Sequence, residues 1–408
     1  MIRGAEIGQQ SDNGTIHLSY KVVRHACFDH NATGPVAPDV LRSFTEAVAN
    51  IHGNASSIHF FGQAAKQRLE AARRQMAARI GCAPPEIVFT SGGTESDNLA
   101  LFGIARRKPG CHIVTSAIEH PAVLSTCARL EREGATVTWL RVGSDGIVSP
   151  DDVRKALRPA TALITIMHAN NETGTIQPLA AIAAVAREAG VAFHSDAVQT
   201  AGRIPLRVSD IGVDLLSVSG HKFGAPKGIG ALFVKKGTPL DPILYGGHHE
   251  RDRRAGTENV PGAVALGAAA ALDFDWNIIA PLRDRLERGI LSRVPLTAVN
   301  GSVASRLPNT TNIRFDGIEG EAMVISLDLR GYAVSSGSAC SSGAVEPSHV
   351  LLALGLRPEQ ARSSVRFSLG PANTAEEVDG LIDAVADSVA HLRRLSPAFR
   401  DEPVVAHA

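Results

Sequence analysis

The sequence predicts an α/β fold, in which a large domain with a mostly parallel sheet is followed by a smaller α+β domain. Between residues 86 and 234, short β-branched runs alternate with helical stretches, which is typical of parallel strands connected by helices. These runs lack period-two alternation, as expected for strands that are covered on both faces. Near residues 256–261 the pattern changes, and the order of helices and strands becomes less regular.

The local pattern of apolar residues predicts the individual strands and helices. We predict strands of the large domain at 86–90, 112–115, 136–141, 162–167, 191–193, 215–218 and 230–234. We predict helices at 39–51, 63–79, 95–105, 122–132, 151–157, 179–188, 262–272, 281–291 and 375–392. The predicted domains are a large domain over 28–262, a small domain over 1–27 and 263–395, and a tail over 396–408.

Composition limits the class of protein. The 408 residues include 41 Lys+Arg and 41 Asp+Glu, and this zero net charge gives no electrostatic reason to expect a nucleic acid or a membrane surface as partner. Apolar residues make up 44% and charged residues 20%, which argues against disorder as the main state. Aromatic residues are only 4%, so the core must be built mainly from Ala, Val, Leu and Ile.

The cysteines favour a reducing compartment. Five cysteines are present, and no two of them have CxxC spacing: Cys27, Cys82, Cys111, Cys127 and Cys340. An odd, sparse set argues against a disulfide framework, a zinc ribbon and a thioredoxin-like site, and we expect no metal.

The N-terminus lacks the apolar region of a signal peptide, and the longest apolar run, 261–272, is too short to span a bilayer, so we expect a cytoplasmic protein.

A glycine-rich segment, SGGTESDN at 91–98, follows a predicted strand and opens a helix. Backbone N–H groups at such a helix start, together with the Thr94 hydroxyl, form an anion site that suits a phosphate. A tight turn with a Ser/Thr cap requires the same residues, so this segment alone leaves both interpretations open. It is not a P-loop, because no GK[ST] follows.

Lys222 lies just past a buried strand, in SGHKFGAPKG at 219–228. Among small residues, desolvation can remove its proton and make it an amine nucleophile, although most lysines in such turns are merely solvated. Upstream, Asp196 and Gln199 could pair with a protonated ring nitrogen and a phenolate oxygen. A Schiff-base lysine, an aspartate for a pyridinium and a phosphate site together indicate pyridoxal phosphate (PLP).

Four further residues are candidates for the same chemistry. His120 and Asn171 follow predicted strands, where they could contact a cofactor or substrate; the alternative is a polar loop histidine and a turn asparagine. Arg366, in a predicted strand, could bind a substrate carboxylate or be a surface arginine. Cys340 lies in a run of small residues, which favours an exposed, reactive thiol, whereas the other four cysteines are assigned to packing. The adjacent residues 248–250, HHE, cannot converge on a metal, and we reject that interpretation.

Together, the motifs resemble the cysteine desulfurases of the NifS/IscS type, in the class V PLP-dependent aminotransferase family. The resemblance extends from about residue 28 to 388. The most specific stretches are FTSGGTESDN at 89–98, IEHPAV at 118–123, MHANNETGTIQP at 167–178, HSDAVQ at 194–199, SGHKFGAPKGIGAL at 219–232, RAGTENVPG at 254–262, SSGSACSSG at 335–343 and SSVRFSLG at 363–370.

The resemblance implies a PLP-dependent transferase of fold type I and a set of catalytic roles. Lys222 binds the cofactor covalently, Asp196 keeps the pyridine nitrogen protonated, and Gln199 contacts the ring hydroxyl oxygen. His120 stacks on the ring and moves protons, and Cys340 accepts the sulfur. The remaining implied cofactor contacts are Gly93, Thr94, Asn171, Ser219, His221 and, from the neighbouring subunit, Thr257. The implied substrate contacts are Asn31, Asn171 and Arg366.

The implied reaction converts L-cysteine to L-alanine and leaves the sulfur as a persulfide on Cys340. The implied partners are a second copy of the chain and a sulfur-acceptor protein, and the sulfur's destination stays open among iron–sulfur cluster assembly, tRNA thiolation and DNA phosphorothioation. The alternatives are a selenocysteine lyase or another class V PLP enzyme, and a PLP-fold scaffold without activity. Two departures from the family pattern are Gly34, where a threonine is usual, and Gly224-Ala225 after SGHKF.

Overall fold

The computed structural model describes residues 4–5, 20–21, 25–336 and 346–395. The strands are β1 (Gly4–Ala5), β2 (Tyr20–Lys21), β3 (Ala26–Cys27), β4 (Ile87–Thr90), β5 (His112–Ser116), β6 (Thr136–Leu140), β7 (Thr161–Thr165), β8 (Ala192–Asp196), β9 (Leu215–Ser219), β10 (Gly230–Val234), β11 (Thr297–Val299), β12 (Thr310–Phe315), β13 (Tyr332–Ala333) and β14 (Ser364–Ser368). The helices are α1 (Pro38–Asn50), α2 (Phe60–Ile80), α3 (Gly93–Ala105), α4 (Pro121–Arg132), α5 (Pro150–Ala156), α6 (Leu179–Ala189), α7 (Val208–Ile211), α8 (Val260–Ala271), α9 (Ala280–Arg293), α10 (Gly320–Asp328), α11 (His349–Ala353), α12 (Pro358–Arg362) and α13 (Ala375–Leu395).

A seven-stranded sheet in the order β4-β10-β9-β8-β7-β5-β6 forms the centre of the molecule. Its four pairs from β9 to β6 are parallel, and β10 runs antiparallel to both of its neighbours. Every residue of β4, β5, β9 and β10 is buried, because helices cover both faces. The predicted α/β class with a mostly parallel sheet is therefore confirmed.

The sequence pattern located most elements, with differences at their ends. The strand predicted at 191–193 continues to Asp196, so this residue belongs to β8 itself. Helix α2 begins at Phe60, earlier than predicted, because the His59 ring accepts a hydrogen bond from the Gly62 N–H (3.4 Å) and caps the helix. Polar capping of this kind lies outside the apolar periodicity from which the helix was predicted.

A second, antiparallel sheet in the order β11-β12-β14 has its own apolar core, in which Phe315 and Phe367 are fully buried. Strand β13 pairs in parallel with β3, and the two form a separate two-stranded sheet. The predicted domain boundary at 262 falls inside α8, whose apolar residues pack with α1 and α2 in the core of the large sheet. The division into two domains stays a prediction.

The packing role assigned to four cysteines is confirmed for three of them. Cys111 and Cys127 are buried in the core, and Cys82, half-buried after the end of α2, packs against the core of the large sheet. Cys27 is exposed, because β3 is a two-residue strand at the surface. Cys340 lies outside the described residues.

The described residues contain neither a metal-binding cluster nor a single helix that could span a membrane. Within these ranges, no group of three or more His, Cys, Asp or Glu side chains could hold a metal ion. No single described helix is long and apolar enough to cross a membrane; one pair bent by 67°, Val260–Ala271 with Trp276–Arg293, passes by length and composition alone.

A buried ion pair holds a strained turn next to the large sheet. Both Arg73 terminal nitrogens lie 2.7 Å from the carboxylate oxygens of Glu250, which also accepts the Phe89 N–H at 3.0 Å. Glu250, Arg251 and Asp252 have φ values of 46°, 58° and 63°, a left-handed conformation that costs roughly 1–2 kcal/mol per residue. The ion pair therefore keeps in place the turn that leads into the RAGTEN segment at 254–259.

We expect Arg73→Met to lower the free energy of unfolding by about 3–5 kcal/mol, because it leaves the Glu250 carboxylate buried and unpaired. Urea denaturation measures the change. The matched control is Arg154→Met, whose partner Glu188 lies 2.6 Å away with both side chains more than half exposed, and which should cost less than about 1 kcal/mol. Equal losses in the two variants would contradict the role given to the Arg73–Glu250 pair.

Candidate active site

A cavity of about 780 Å³ opens at the carboxyl ends of the large sheet's parallel strands. This edge is where ligands bind in open α/β sheets, because the loops that follow the strands converge there. The cavity brings together eleven residues predicted from sequence: Asn31, Gly93, Thr94, His120, Asn171, Asp196, Gln199, Ser219, His221, Lys222 and Arg366. Of the other two, Thr257 is exposed outside the cavity and Cys340 falls outside the described residues.

The glycine-rich turn packs too tightly for side chains. A Cβ on Gly93 would lie 2.6 Å from a Val198 methyl carbon, and one on Gly230 would lie 2.6 Å from the Gly92 Cα. The turn opens α3, a helix of 13 residues, with Thr94 exposed to the cavity in its first turn. The backbone N–H groups at this helix start can thus approach an anion closely.

The Lys222 side chain reaches the centre of the cavity. Its Nζ donates hydrogen bonds to the carbonyl oxygens of Asn31 (2.6 Å) and Ala32 (2.8 Å), and no carboxylate is bonded to it in the described chain. Burial, followed by the charges of Arg203 and Arg366, lowers the pKa of this amine to about 8. A much larger fraction of it is neutral near pH 7 than of a surface lysine.

Asp196, at the end of β8, is 6% exposed. Its Oδ1 accepts the Val198 N–H at 2.8 Å, and among the described residues Oδ2 has no hydrogen-bond partner. Burial raises the pKa of this carboxyl, and the charges of His120 and Lys222 oppose the rise. A buried carboxylate with one free oxygen at a cavity wall suits a cationic N–H donor.

Arg366, on β14 of the small sheet, and Asn171, in the loop after β7, form one wall of the cavity. Arg366 donates to the Asn171 carbonyl (3.0 Å) and to Asp29 Oδ1 (2.6 Å), and its Nε is buried with no partner in the described chain. The Asn31 amide, by contrast, is fully engaged: it donates to the Asn171 carbonyl and Thr310, and its oxygen accepts from Arg203 at 2.6 Å. Asn31 thus lines the cavity with its amide held by protein groups, and its contact with substrate stays a prediction.

Two buried acidic residues, Glu119 and Glu172, make hydrogen bonds to the segment that follows residues 337–345 in the sequence. Glu172 accepts the Ser348 hydroxyl at 2.6 Å, and burial raises the Glu172 pKa to about 7. His349 lies 3.0 Å from the carbonyl oxygen of Glu119, whose carboxylate accepts the Met167 N–H at 3.0 Å. Burial raises the pKa of Glu119 to about 8. These contacts hold the start of α11 against the ends of β5 and β7.

A family model described as aminotransferase class-V matches residues 26–381. This span includes every strand of both large sheets and all the lining residues of the cavity. The chain belongs to the class-V aminotransferase family.

Individual members of the family agree with this assignment. A protein of Nostoc sp. strain PCC 7120 named cysteine desulfurase is 48% identical over 380 residues, which cover 92% of this chain and 95% of the relative. A solved structure of a NifS-like protein superposes with a TM-score of 0.84 at 35% identity, covering 90% of this chain and all of the other. A structure titled SspA in complex with cysteine has a TM-score of 0.77 at 38% identity over 85% and 99% of the chains. The predicted resemblance to the NifS/IscS type is confirmed.

Sequence reasoning missed one buried cation of this class-V site, Arg203. It is 2% exposed and bonds Asn31 and Gln199 at 2.6 and 2.7 Å. The available signal was its position four residues after Gln199, within the turn that follows β8. Nothing in the local sequence showed that the guanidinium would be buried.

Proposed function

We propose that this chain is a PLP-dependent cysteine desulfurase that converts L-cysteine to L-alanine and leaves the sulfur on Cys340. Curated relatives with this activity in their names are 45–48% identical over 90–92% of the chain. The observation that carries the proposal is the cavity itself: the Lys222 amine, the Asp196 carboxylate and the glycine-rich turn face one another across it.

The residues of the cavity fit PLP. Lys222 would hold the aldehyde carbon, Asp196 would hold the pyridine N–H through its free Oδ2, and Gln199 would contact the ring hydroxyl. The phosphate would be held by the glycine-rich turn together with Thr94, Ser219 and His221. Burial and nearby cations lower the pKa of His221 to about 4, so the neutral ring contributes a hydrogen bond and no charge.

When bound, PLP draws electrons from the Cα of an amino acid attached to it and so labilises the Cα proton. The Lys222 amine, whose pKa is lowered to about 8, would be the base that accepts this proton. His120 caps α4 by accepting the Ala122 N–H at Nδ1 (3.1 Å). The neutral ring therefore carries its proton at Nε2 and can donate it to the substrate in the cavity.

Arg366 is the group that we propose binds the substrate carboxylate. Its unpartnered Nε and its planar guanidinium allow a paired contact with a carboxylate, for which lysine would be a poorer substitute. Asn171, whose carbonyl already accepts from Arg366, lies beside it. Both residues are fixed by the small sheet or by the loop after β7, so the substrate's orientation is set before it binds.

In the sulfur step, the Cys340 thiolate attacks the substrate sulfur, an S–S bond forms and the Cβ–S bond breaks. The carbon side takes the electron pair and is protonated, so cysteine plus thiol gives alanine plus persulfide with no added oxidant. Ser335 and Glu346, which flank 337–345, both line the cavity. Cys340 lies between these two residues in the sequence.

We further propose a homodimer, because apolar side chains near the start of α2 are exposed. Ile58 is 93% exposed, Phe60 79% and Phe61 51%, and the two phenylalanine rings lie 5.5 Å apart. A clustered patch of this kind marks an interaction surface. The exposed Thr257 would then complete the phosphate site of the neighbouring subunit.

A sulfur-acceptor protein in the cytoplasm is the remaining proposed partner, with no direct contact to nucleic acid or membrane.

Selenocysteine lyase or another class V PLP activity is the alternative, because it requires the same lysine, aspartate and phosphate site. Cys340 distinguishes them, since only the desulfurase mechanism transfers the substrate's sulfur to a protein thiol. An inactive scaffold would lack the covalent cofactor link.

Borohydride reduction of the PLP-loaded protein should fix a pyridoxyl group to Lys222, because its amine is the most readily deprotonated one at the centre of the cavity. Peptide mass mapping locates the label. Lys227 also lines the cavity, so Lys227→Ala, which should keep the label on Lys222, is the matched control. A label on Lys227 in the unaltered protein would overturn the assignment.

Cys340→Ser should still bind PLP and cysteine, but alanine formation should fall by about a hundredfold or more, because a serine hydroxyl is a far poorer nucleophile than a thiolate. After incubation with cysteine, mass spectrometry should find about 32 Da added at Cys340, the mass of one sulfur atom. Cys27→Ser removes another exposed thiol and should leave alanine formation unchanged. A persulfide at Cys27, or full activity in Cys340→Ser, contradicts the mechanism.

Phe60→Asp combined with Ile58→Asp should convert the dimer to a monomer in sedimentation velocity, because two charges would be buried in the proposed interface. Leu329→Asp, at a residue 77% exposed beside α10, is the control and should remain dimeric. An unaltered protein that sediments as an active monomer would refute both the dimer and the role of Thr257.

A further inference from the structure

Arg203 is a buried cation in the wall of the cavity, outside the roles assigned so far. Its guanidinium donates to Asn31 Oδ1 (2.6 Å), to Gln199 Oε1 (2.7 Å) and to the carbonyl oxygens of His30 (2.7 Å) and Lys222 (3.2 Å). It thereby connects three separate parts of the chain: the entry to the large domain, the turn after β8 and the turn that carries the lysine.

No carboxylate pairs with this guanidinium among the described residues. Its partners are neutral oxygens, the Trp276 ring lies 5.7 Å from it, and its Nε has no acceptor. Burial and Arg366 lower the pKa of Arg203 to about 9. An unpaired buried charge is costly, and such groups concentrate at functional sites.

We infer that Arg203 is a positioning residue of the PLP site, whose guanidinium fixes Gln199, Asn31 and the main chain of Lys222 in one arrangement and places an uncompensated positive charge behind the lysine amine. This deepens the proposed function and rests on it for the identity of the cofactor. The contacts themselves are independent of the cofactor.

The first consequence concerns Gln199. Its Oε1 is occupied by Arg203, so its NH₂ group is directed toward the Asn31 carbonyl (3.1 Å) and the cavity. The orientation of the amide follows from this hydrogen-bond network. Gln199 therefore offers a donor and not an acceptor to the cavity, which suits a phenolate oxygen.

The second consequence concerns the charge on Lys222. The cations Arg203 and Arg366 disfavour the ammonium form, whereas Asp196 and Asp29 favour it. Two histidines, His120 and His221, also lie close to the amine, and both of their pKa values are lowered, mainly by burial. The other titratable groups that line the cavity are Glu95, Asp97, Glu172, Lys227, Glu346 and His349. Because these groups are the same in both proteins, removing the charge of Arg203 should raise the pKa of Lys222 toward its ordinary value.

The test uses the cofactor-free protein, in which the rate of Lys222 acylation is followed against pH by peptide mass mapping. The unaltered protein should show a midpoint near pH 8. Arg203→Gln, which keeps hydrogen-bond donors but removes the charge, should raise the midpoint by about one pH unit, a tenfold loss of neutral amine near pH 7. Arg203→Lys, which keeps the charge, should have a midpoint close to that of the unaltered protein.

The control for a merely structural effect is Arg283→Gln. Arg283 is a buried arginine beside the small sheet, 2.8 Å from the Leu307 carbonyl, and its loss should destabilise the fold without moving the Lys222 midpoint. An unmoved midpoint in Arg203→Gln, or equal shifts in the Gln and Lys variants, overturns the inference. So does an ordinary midpoint near 10 in the unaltered protein, which remains measurable even where Arg203→Gln does not fold. Failure of the proposed function would instead appear as absent pyridoxyl labelling with these midpoints intact.

Discussion

The site depends on one constraint: the Lys222 amine is held in place by groups that do not neutralise it. Its two hydrogen-bond acceptors are backbone carbonyls of Asn31 and Ala32, which fix its position but carry no charge. A carboxylate in either position would stabilise the ammonium and raise its pKa. The acceptors in these positions are uncharged and cations lie nearby. A larger fraction of the amine is therefore neutral than in a surface lysine, and able to attack a carbonyl carbon.

A second buried carboxyl, that of Asp97, affects the charge on Asp196 in a similar way. Asp97, on α3, is buried with one oxygen unpartnered, and burial together with the Asp196 charge raises its pKa well above the ordinary value. Its nearest imidazole, His194, is 3.6 Å away and is kept neutral, because burial lowers its pKa to about 3. Since two close carboxylates do not both ionise readily, the raised pKa of Asp97 favours its neutral form and leaves to Asp196 the charge that the proposed pyridinium would require.

The sequence predicted the parts of the site that local chemistry determines. Lys222, Asp196 and the glycine-rich turn each carry a recognisable pattern, and strand order brings them to one edge of the sheet. Arg203 could not be predicted, because its meaning depends on partners 172 and 173 residues away. Cys27 was assigned to packing from its apolar neighbours, whereas its exposure follows from pairing with β13, a contact made across the whole chain.

The balance of charge around the cavity also explains how such a site is tolerated in a folded protein. Arg203, Arg366 and Lys222 place three cationic groups near two carboxylates, Asp29 and Asp196, so these five groups together carry an excess of positive charge. Neutral acceptors and the stability of two separate apolar cores offset the cost of burying that excess. The proposed cofactor, with its phosphate and phenolate, would supply the missing negative charge. Binding such a ligand therefore relieves a cost already present in the fold, and any ligand that binds only the native state stabilises it.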